Sequence, residues 1–162
     1  MDQFMEQALS EARVALGRGE VPVGCVFIYE GKVIAKGSNY VNATKNATRH
    51  AEFVCIDGVL SFCNENGLDH RKVFPKVSVV VSVEPCIMCA AALHNLKVKE
   101  ILFGCINDRF GGLTVLDVSK VLGSNVKTTG GFQKDLAMDL LKDFYKGENP
   151  SAPVPKQKRK CN

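Results

Sequence analysis

Two short segments carry side chains that could do chemistry together: His50-Ala51-Glu52 and Pro85-Cys86-Ile87-Met88-Cys89. One imidazole and two thiolates make the ligand set that a catalytic zinc takes when it keeps a fourth position for water. Cys86 and Cys89 are three residues apart, so at the start of a helix their sulfurs share a face within reach of one ion. The positive end of that helix favours both thiolates, and zinc brings the pKa of a bound water to about 7. Glu52 lies two residues beyond His50 and cannot share its direction on a helix, which puts it beside a metal rather than on it. A carboxylate there can take a proton from water and pass it to a substrate nitrogen, which is general acid–base catalysis on an electrophilic carbon. Taken alone, a Cys-x-x-Cys is often half of a structural zinc site or two buried thiols, and a His-x-Glu arises by chance. Joined, with a proline before the first cysteine and a strand before that proline, they form a far more specific signal.

These residues need elements to hold them. Phe4, Ala8, Leu9, Ala12, Ala15 and Leu16 recur at helical spacing with Gly17 near the stop, so a helix opens the chain. The β-branched runs 21–29 and 32–37 flank Glu30-Gly31, a turn pair suited to a hairpin. Residues 50–63 read as a helix with Phe53, Ile56, Val59 and Leu60 on one side. The nearly unbroken apolar run 77–83 suits a central strand covered on both faces. Residues 86–96 follow Pro85 as another helix, because proline is tolerated at a helix start. A short strand over 100–106 leads into a polar loop, 107–112. Residues 113–121 fit no single pattern, and 132–145 read as a helix carrying Leu136, Leu140, Leu141 and Phe144. Alternating helices and strands predict a layered α/β domain whose early hairpin makes the sheet mixed.

The composition agrees. The chain has 162 residues, 46% of them apolar and 23% charged, enough for one folded domain and unlike a disordered or fibrous chain. No apolar run reaches the length of a membrane span. The first 16 residues lack the basic lead and apolar stretch of a secretory signal, so an intracellular protein is expected. Seven cysteines, an odd number, argue for thiols that are buried, metal-bound or free rather than a disulfide framework. Cys25, Cys55, Cys63 and Cys105 are expected to be buried and Cys161 an exposed thiol. The net charge of +4 is concentrated in Lys156, Lys158, Arg159 and Lys160, against Glu148 alone. This divides the chain into a domain over 1–147 and a basic, proline-containing tail over 148–162. The tail has two readings, a solvated end or a phosphate-binding arm whose grip weakens with salt, with nuclear import as a weaker third. In the 107–112 loop, Arg109 could pair with phosphate and Phe110 could stack on a base, or Phe110 could be core or interface. His94 is expected at the surface or an interface, and His70 in solvent.

Beyond the two metal-site segments, the chain resembles the tRNA adenosine deaminases, bacterial and eukaryotic. The resemblance is carried by Glu20-Val21-Pro22-Val23-Gly24, Gly37-Ser38-Asn39, Arg49-His50-Ala51-Glu52, Val83-Glu84-Pro85-Cys86-Ile87-Met88-Cys89-Ala90 and Phe103-Gly104-Cys105. Arg109-Phe110-Gly111-Gly112 and Phe144-Tyr145-Lys146-Gly147-Glu148-Asn149-Pro150 are similar to the catalytic subunits of the eukaryotic branch in particular. The resemblance implies a three-layer α/β/α, cytidine-deaminase-like domain on a mixed five-stranded sheet. It implies Zn2+ held by His50, Cys86 and Cys89, and Glu52 as proton shuttle. It also implies Asn39 as purine contact, and a base pocket walled by Val23, the Ala51 and Glu84 backbones and Pro85. The reaction would be hydrolytic deamination: activated water attacks C6 of adenine, Glu52 protonates N1, and ammonia leaves inosine behind. The implied substrate is the wobble adenosine of a tRNA anticodon loop, whose splayed bases are cheaper to extract than those of a duplex. RNA contacts would come from Arg109, Phe110 and the tail lysines and arginine.

The family works as dimers. The eukaryotic likeness implies a heterodimer with a related, catalytically degenerate subunit, a homodimer being the alternative, in cytoplasm and nucleus. Two other functions share these motifs. A deaminase of free nucleosides, nucleotides or bases would use the same zinc and glutamate, but the basic tail and the Arg-Phe-Gly-Gly loop speak against it. A non-catalytic RNA-binding subunit with structural zinc could dispense with Glu52, which this chain retains.

Overall fold

The computed structural model describes residues 2–147. The basic tail, with Lys156, Lys158, Arg159, Lys160 and Cys161, lies outside the described residues. The opening helix α1 spans Asp2–Gly17 and buries Met5, Ala8, Leu9, Ala12 and Ala15. The hairpin follows as β1 (Gly24–Tyr29) and β2 (Lys32–Ser38). Its turn has Glu30 at φ 50° and Gly31 at φ 78°, the left-handed pair that matches the twist of two tightly joined strands. β1 starts at Gly24, three residues later than the apolar run suggests. A side chain at Gly24 would run into the backbone of α1, its Cβ falling 2.1 Å from Ala8 O, so the helix lies directly on the strand there.

A short α2 (Val41–Thr44) precedes α3 (Ala51–Asn66). A single turn α4 (His70–Val73) and a 3-10 turn (Phe74–Lys76) lead into β3 (Ser78–Val83), every residue of which is buried. Then come α5 (Ile87–Asn95), β4 (Glu100–Cys105), α6 (Val118–Leu122), β5 (Lys127–Thr129) and α7 (Lys134–Lys146). The sheet order is β2-β1-β3-β4-β5. β1 runs antiparallel to β2 and β3, while β3, β4 and β5 are parallel. β3 is therefore the central strand, and the sheet is mixed as expected. One face packs Phe27, Val79, Val81, Ile101 and Phe103 against α3 and Leu93 of α5. The other packs Val26, Ile28, Val80 and Leu102 against α1 and Ala137 of α7. Those are the three layers.

Two further details go beyond the sequence reading or against it. The stretch 113–121 resolves into turns and the start of α6, and β5 follows unannounced, because three residues are too few for a periodic signal. His94 is 5% exposed, not at the surface: its Nδ1 meets Ser124 Oγ at 2.9 Å, tying α5 to the segment before β5. Burial lowers its pKa below the ordinary histidine value. His70 is exposed, and Cys25, Cys55, Cys63 and Cys105 are buried.

Candidate active site

The sheet brings the amino ends of α3 and α5 together at the carboxyl end of β3. His50 and Cys86 are not inside those helices. Each is the residue that caps one, with extended backbone (φ −73°, ψ 158° and φ −65°, ψ 165°), and neither side chain makes a capping hydrogen bond. That leaves both side chains free to turn toward each other. The first N–H of each helix is satisfied by another segment. Asn39 Oδ1, at the end of β2, accepts from Ala51 N at 2.9 Å, and Phe110 O accepts from Ile87 N at 2.8 Å. Helix starts need such acceptors, and here they are supplied from a distance so that the cap residues can serve elsewhere.

His50 Nδ1 lies 3.6 Å from both Cys86 Sγ and Cys89 Sγ, and the three donor atoms fall within 4.8 Å of one another. Zinc bonds of about 2.3 Å to sulfur and about 2.0 Å to nitrogen, at a tetrahedral angle, put sulfur and nitrogen about 3.5 Å apart. The donor set and its spacing therefore fit zinc. The Cys89 thiol, followed by the His50 ring, pulls Cys86 down to about 4, while the same sharing with Cys86 drives Cys89 upward. The bond to Cys86 raises His50 in turn, outweighing its burial.

Glu52, 3% exposed in the first turn of α3, lies against the Cys89 thiol. Burial lifts its carboxyl from 4.5 to about 7, and the Cys86 thiolate adds to the rise. A carboxyl poised near neutrality, beside a ligand cluster but outside it, is suited to shuttling protons. His94, the other buried histidine, is not part of any metal-competent cluster among the described residues.

Most of the remaining pocket residues gather here. Val23 O accepts from Asn39 N at 3.1 Å, so Val23, Asn39 and Ala51 form one hydrogen-bonded edge. Pro85 is buried directly before Cys86. Arg109 and Phe110 stand on the loop over α5, and Phe110 is 63% exposed, which excludes a place in the core of this chain. The sequence reading gave only the backbone of Glu84 a role, yet its side chain is 2% exposed and heavily used. Its carboxylate accepts from the N–H groups of Asn107, Leu113 and Thr114 and from Thr114 Oγ1, at 2.7–3.0 Å. Burial alone would raise its pKa, but these donors hold it below the ordinary carboxylate value. A Cβ at Gly111 would come within 2.3 Å of Glu84 Oε1, so the loop closes on the carboxylate with no room for a side chain. The available signal was an acidic residue placed straight after the nearly unbroken apolar run 77–83.

A His-Cys-Cys cluster, with Cys89 buried and the other two half-buried, and a carboxyl poised near neutrality beside it, at the strand ends of an α/β/α sandwich, defines a zinc-dependent hydrolytic deaminase of the cytidine-deaminase-like class. Residues 1–105 match the family described as the cytidine and deoxycytidylate deaminase zinc-binding region. The chain is 48% identical over 165 aligned residues to the tRNA-specific adenosine deaminase 2 of Xenopus tropicalis, covering 99% of this chain and 97% of that one. It is 32% identical to the tRNA-specific adenosine deaminase of Aquifex aeolicus, across 90% of this chain and 93% of the relative. A solved structure from work on A-to-I editing by tRNA:A34 deaminases at the wobble position of transfer RNA superposes with a TM-score of 0.75 at 30% identity. That likeness covers 87% of this chain and all of the other. The chain belongs to the tRNA-specific adenosine deaminases, within the zinc-binding cytidine and deoxycytidylate deaminase family.

Proposed function

We propose that this chain converts adenosine to inosine at the wobble position of tRNA anticodon loops, as the catalytic subunit of a heterodimer with a related, catalytically degenerate partner. The observation that carries it is the pair of 3.6 Å contacts from His50 Nδ1 to both cysteine sulfurs with the buried Glu52 carboxyl alongside. His50, Cys86 and Cys89 would hold zinc, which when bound acidifies water and polarises the reacting centre.

The protein's own residues do the rest. Asn39 presents its amide to the purine: with Oδ1 engaged by Ala51 N, Nδ2 is left as the donor. Val23, the backbones of Ala51 and Glu84, and Pro85 wall the base and exclude bulk water. Glu52 takes a proton from the attacking water as the C6–O bond forms and gives one to N1. It then moves the proton of the new C6 hydroxyl to the exocyclic nitrogen as the C6 carbonyl forms and the C6–N6 bond breaks, releasing ammonia and leaving inosine. Arg109 and Phe110 contact the RNA, as do Lys156, Lys158, Arg159 and Lys160 of the tail.

An exposed apolar run supports the partner subunit: Ile106, Val115, Leu116 and Val121 all lie outside the core after β4. A homodimer would use the same surface. Among the described residues no helix is long and apolar enough to cross a membrane. The proposed tRNA substrate puts the protein's work in cytoplasm and nucleus. The test incubates the purified chain, with and without the partner subunit, with tRNA, free adenosine and free cytidine, and measures inosine and uridine. Inosine in tRNA is expected, and deamination of free nucleosides alone would overturn the substrate assignment. Glu52→Ala should keep its zinc and lose about 100-fold or more in rate; full turnover in that variant would remove Glu52 from its role.

A further inference from the structure

Tyr40, the residue after Asn39, is an aromatic side chain that is 41% exposed. One face of that ring is covered: the Arg18 guanidinium carbon sits 4.7 Å from its centroid. Arg18 is itself pinned, its Nη2 donating to Ser38 Oγ at 2.8 Å and to Asn39 O at 3.0 Å. The Tyr40 backbone N–H donates to Arg49 O at 2.9 Å, directly before His50. The ring is thus backed by a fixed cation, follows Asn39 directly in the chain, and is tied through its backbone to the residue before His50. Its outer face makes no ring contact among the described residues.

This arrangement answers a need of the reaction, and the inference rests on the RNA substrate proposed above. Drawing one base out of a single-stranded loop leaves its neighbours without a stacking partner, and an aromatic side chain restores what they lose. A ring already held flat by a guanidinium loses little freedom when a base lands on it, and the cation adds attraction for the adjoining phosphate. We propose that the outer face of Tyr40, backed by Arg18, is a stacking subsite for a nucleotide next to the target adenosine.

The test uses the enzyme with its partner subunit and anticodon stem-loop RNAs carrying 2-aminopurine or an abasic residue on either side of the target. Stacking quenches 2-aminopurine fluorescence. At one of the two positions, the wild type and Tyr40→Phe should quench it on binding and Tyr40→Ala should not. Tyr40→Ala should lower kcat/KM on intact RNA by roughly 5- to 100-fold, and an abasic residue at the quenched position should produce the same loss in wild type and no further loss in the variant. Zinc content and thermal midpoint should match wild type. Equal quenching by Tyr40→Ala, or losses that simply multiply when variant and abasic RNA are combined, would overturn the subsite. If the wild type forms no inosine, the deaminase reading fails instead, and the quenching on bound RNA still decides the role of Tyr40.

Discussion

Asn39 completes a helix start with one end of its amide and is proposed to meet the purine with the other, and the two roles can be separated. Oδ1 completes the start of α3, the helix that follows His50 and carries Glu52, and that bond fixes Nδ2 as the donor left for a purine. Asn39→Asp keeps an acceptor for Ala51 N and removes the donor. It should hold the thermal midpoint near wild type while kcat/KM for RNA drops at least tenfold. Asn39→Ala removes both and should in addition cost about 0.5–2 kcal/mol of stability, the range for a lost helix cap, read by denaturant unfolding. Equal stability of the alanine and wild-type proteins would show that the bond to Ala51 does not hold the helix start. Residue chemistry of this kind was partly legible. His50, Glu52, Cys86 and Cys89 declare themselves because few other roles call for those types at that spacing. The surroundings of His94 did not, because a histidine on an alanine-rich helix looks alike whether it faces water or Ser124.

At the scale of elements, the loop after β4 is held to the end of β3 by one carboxylate. Four donors, on Asn107, Leu113 and Thr114, converge on Glu84, while Gly112 N donates to Pro85 O and Cys86 forms a bridge with Gly111. The loop carrying Arg109 and Phe110 is thereby registered against a residue of the metal cluster. Glu84→Ala would leave the part-buried N–H groups of Asn107, Leu113 and Thr114 without that acceptor and should destabilise the protein by on the order of 3 kcal/mol. Amide hydrogen exchange at Asn107, Leu113 and Thr114 should rise well above that of the β3 amides. Protection unchanged at those three would show that the loop is held by something else. The strands and long helices were readable because their apolar periodicity is local, and only their ends moved. β1 starts late where α1 lies on Gly24, and α3 and α5 start one residue late because His50 and Cys86 serve as caps. The three residues of β5 take their strand character from pairing with β4, which nothing in their own sequence announces.

Along the sequence, residues 1–147 are nearly neutral and residues 148–162 hold most of the net positive charge. If Lys156, Lys158, Arg159 and Lys160 each neutralise a phosphate, deleting residues 156–162 should weaken tRNA binding. It should also flatten the log–log dependence on salt by roughly 0.7–0.9 per lost contact, with zinc content unchanged. An unaltered salt slope would mark the arm as solvated. The sequence by itself determined the ligand set, the proton-carrying carboxylate, the central strand and the α/β layering. These depend on side-chain chemistry and on periodicities only a few residues long. Only the tertiary structure decided that Asn39 completes the start of α3, that Glu84 gathers the loop after β4, that His94 is buried and that Arg18 lies on Tyr40. Each of these joins polar groups brought together by the crossing of the chain. A buried polar group must find a partner, but which one it finds is fixed by how the layers pack, and no local pattern records that.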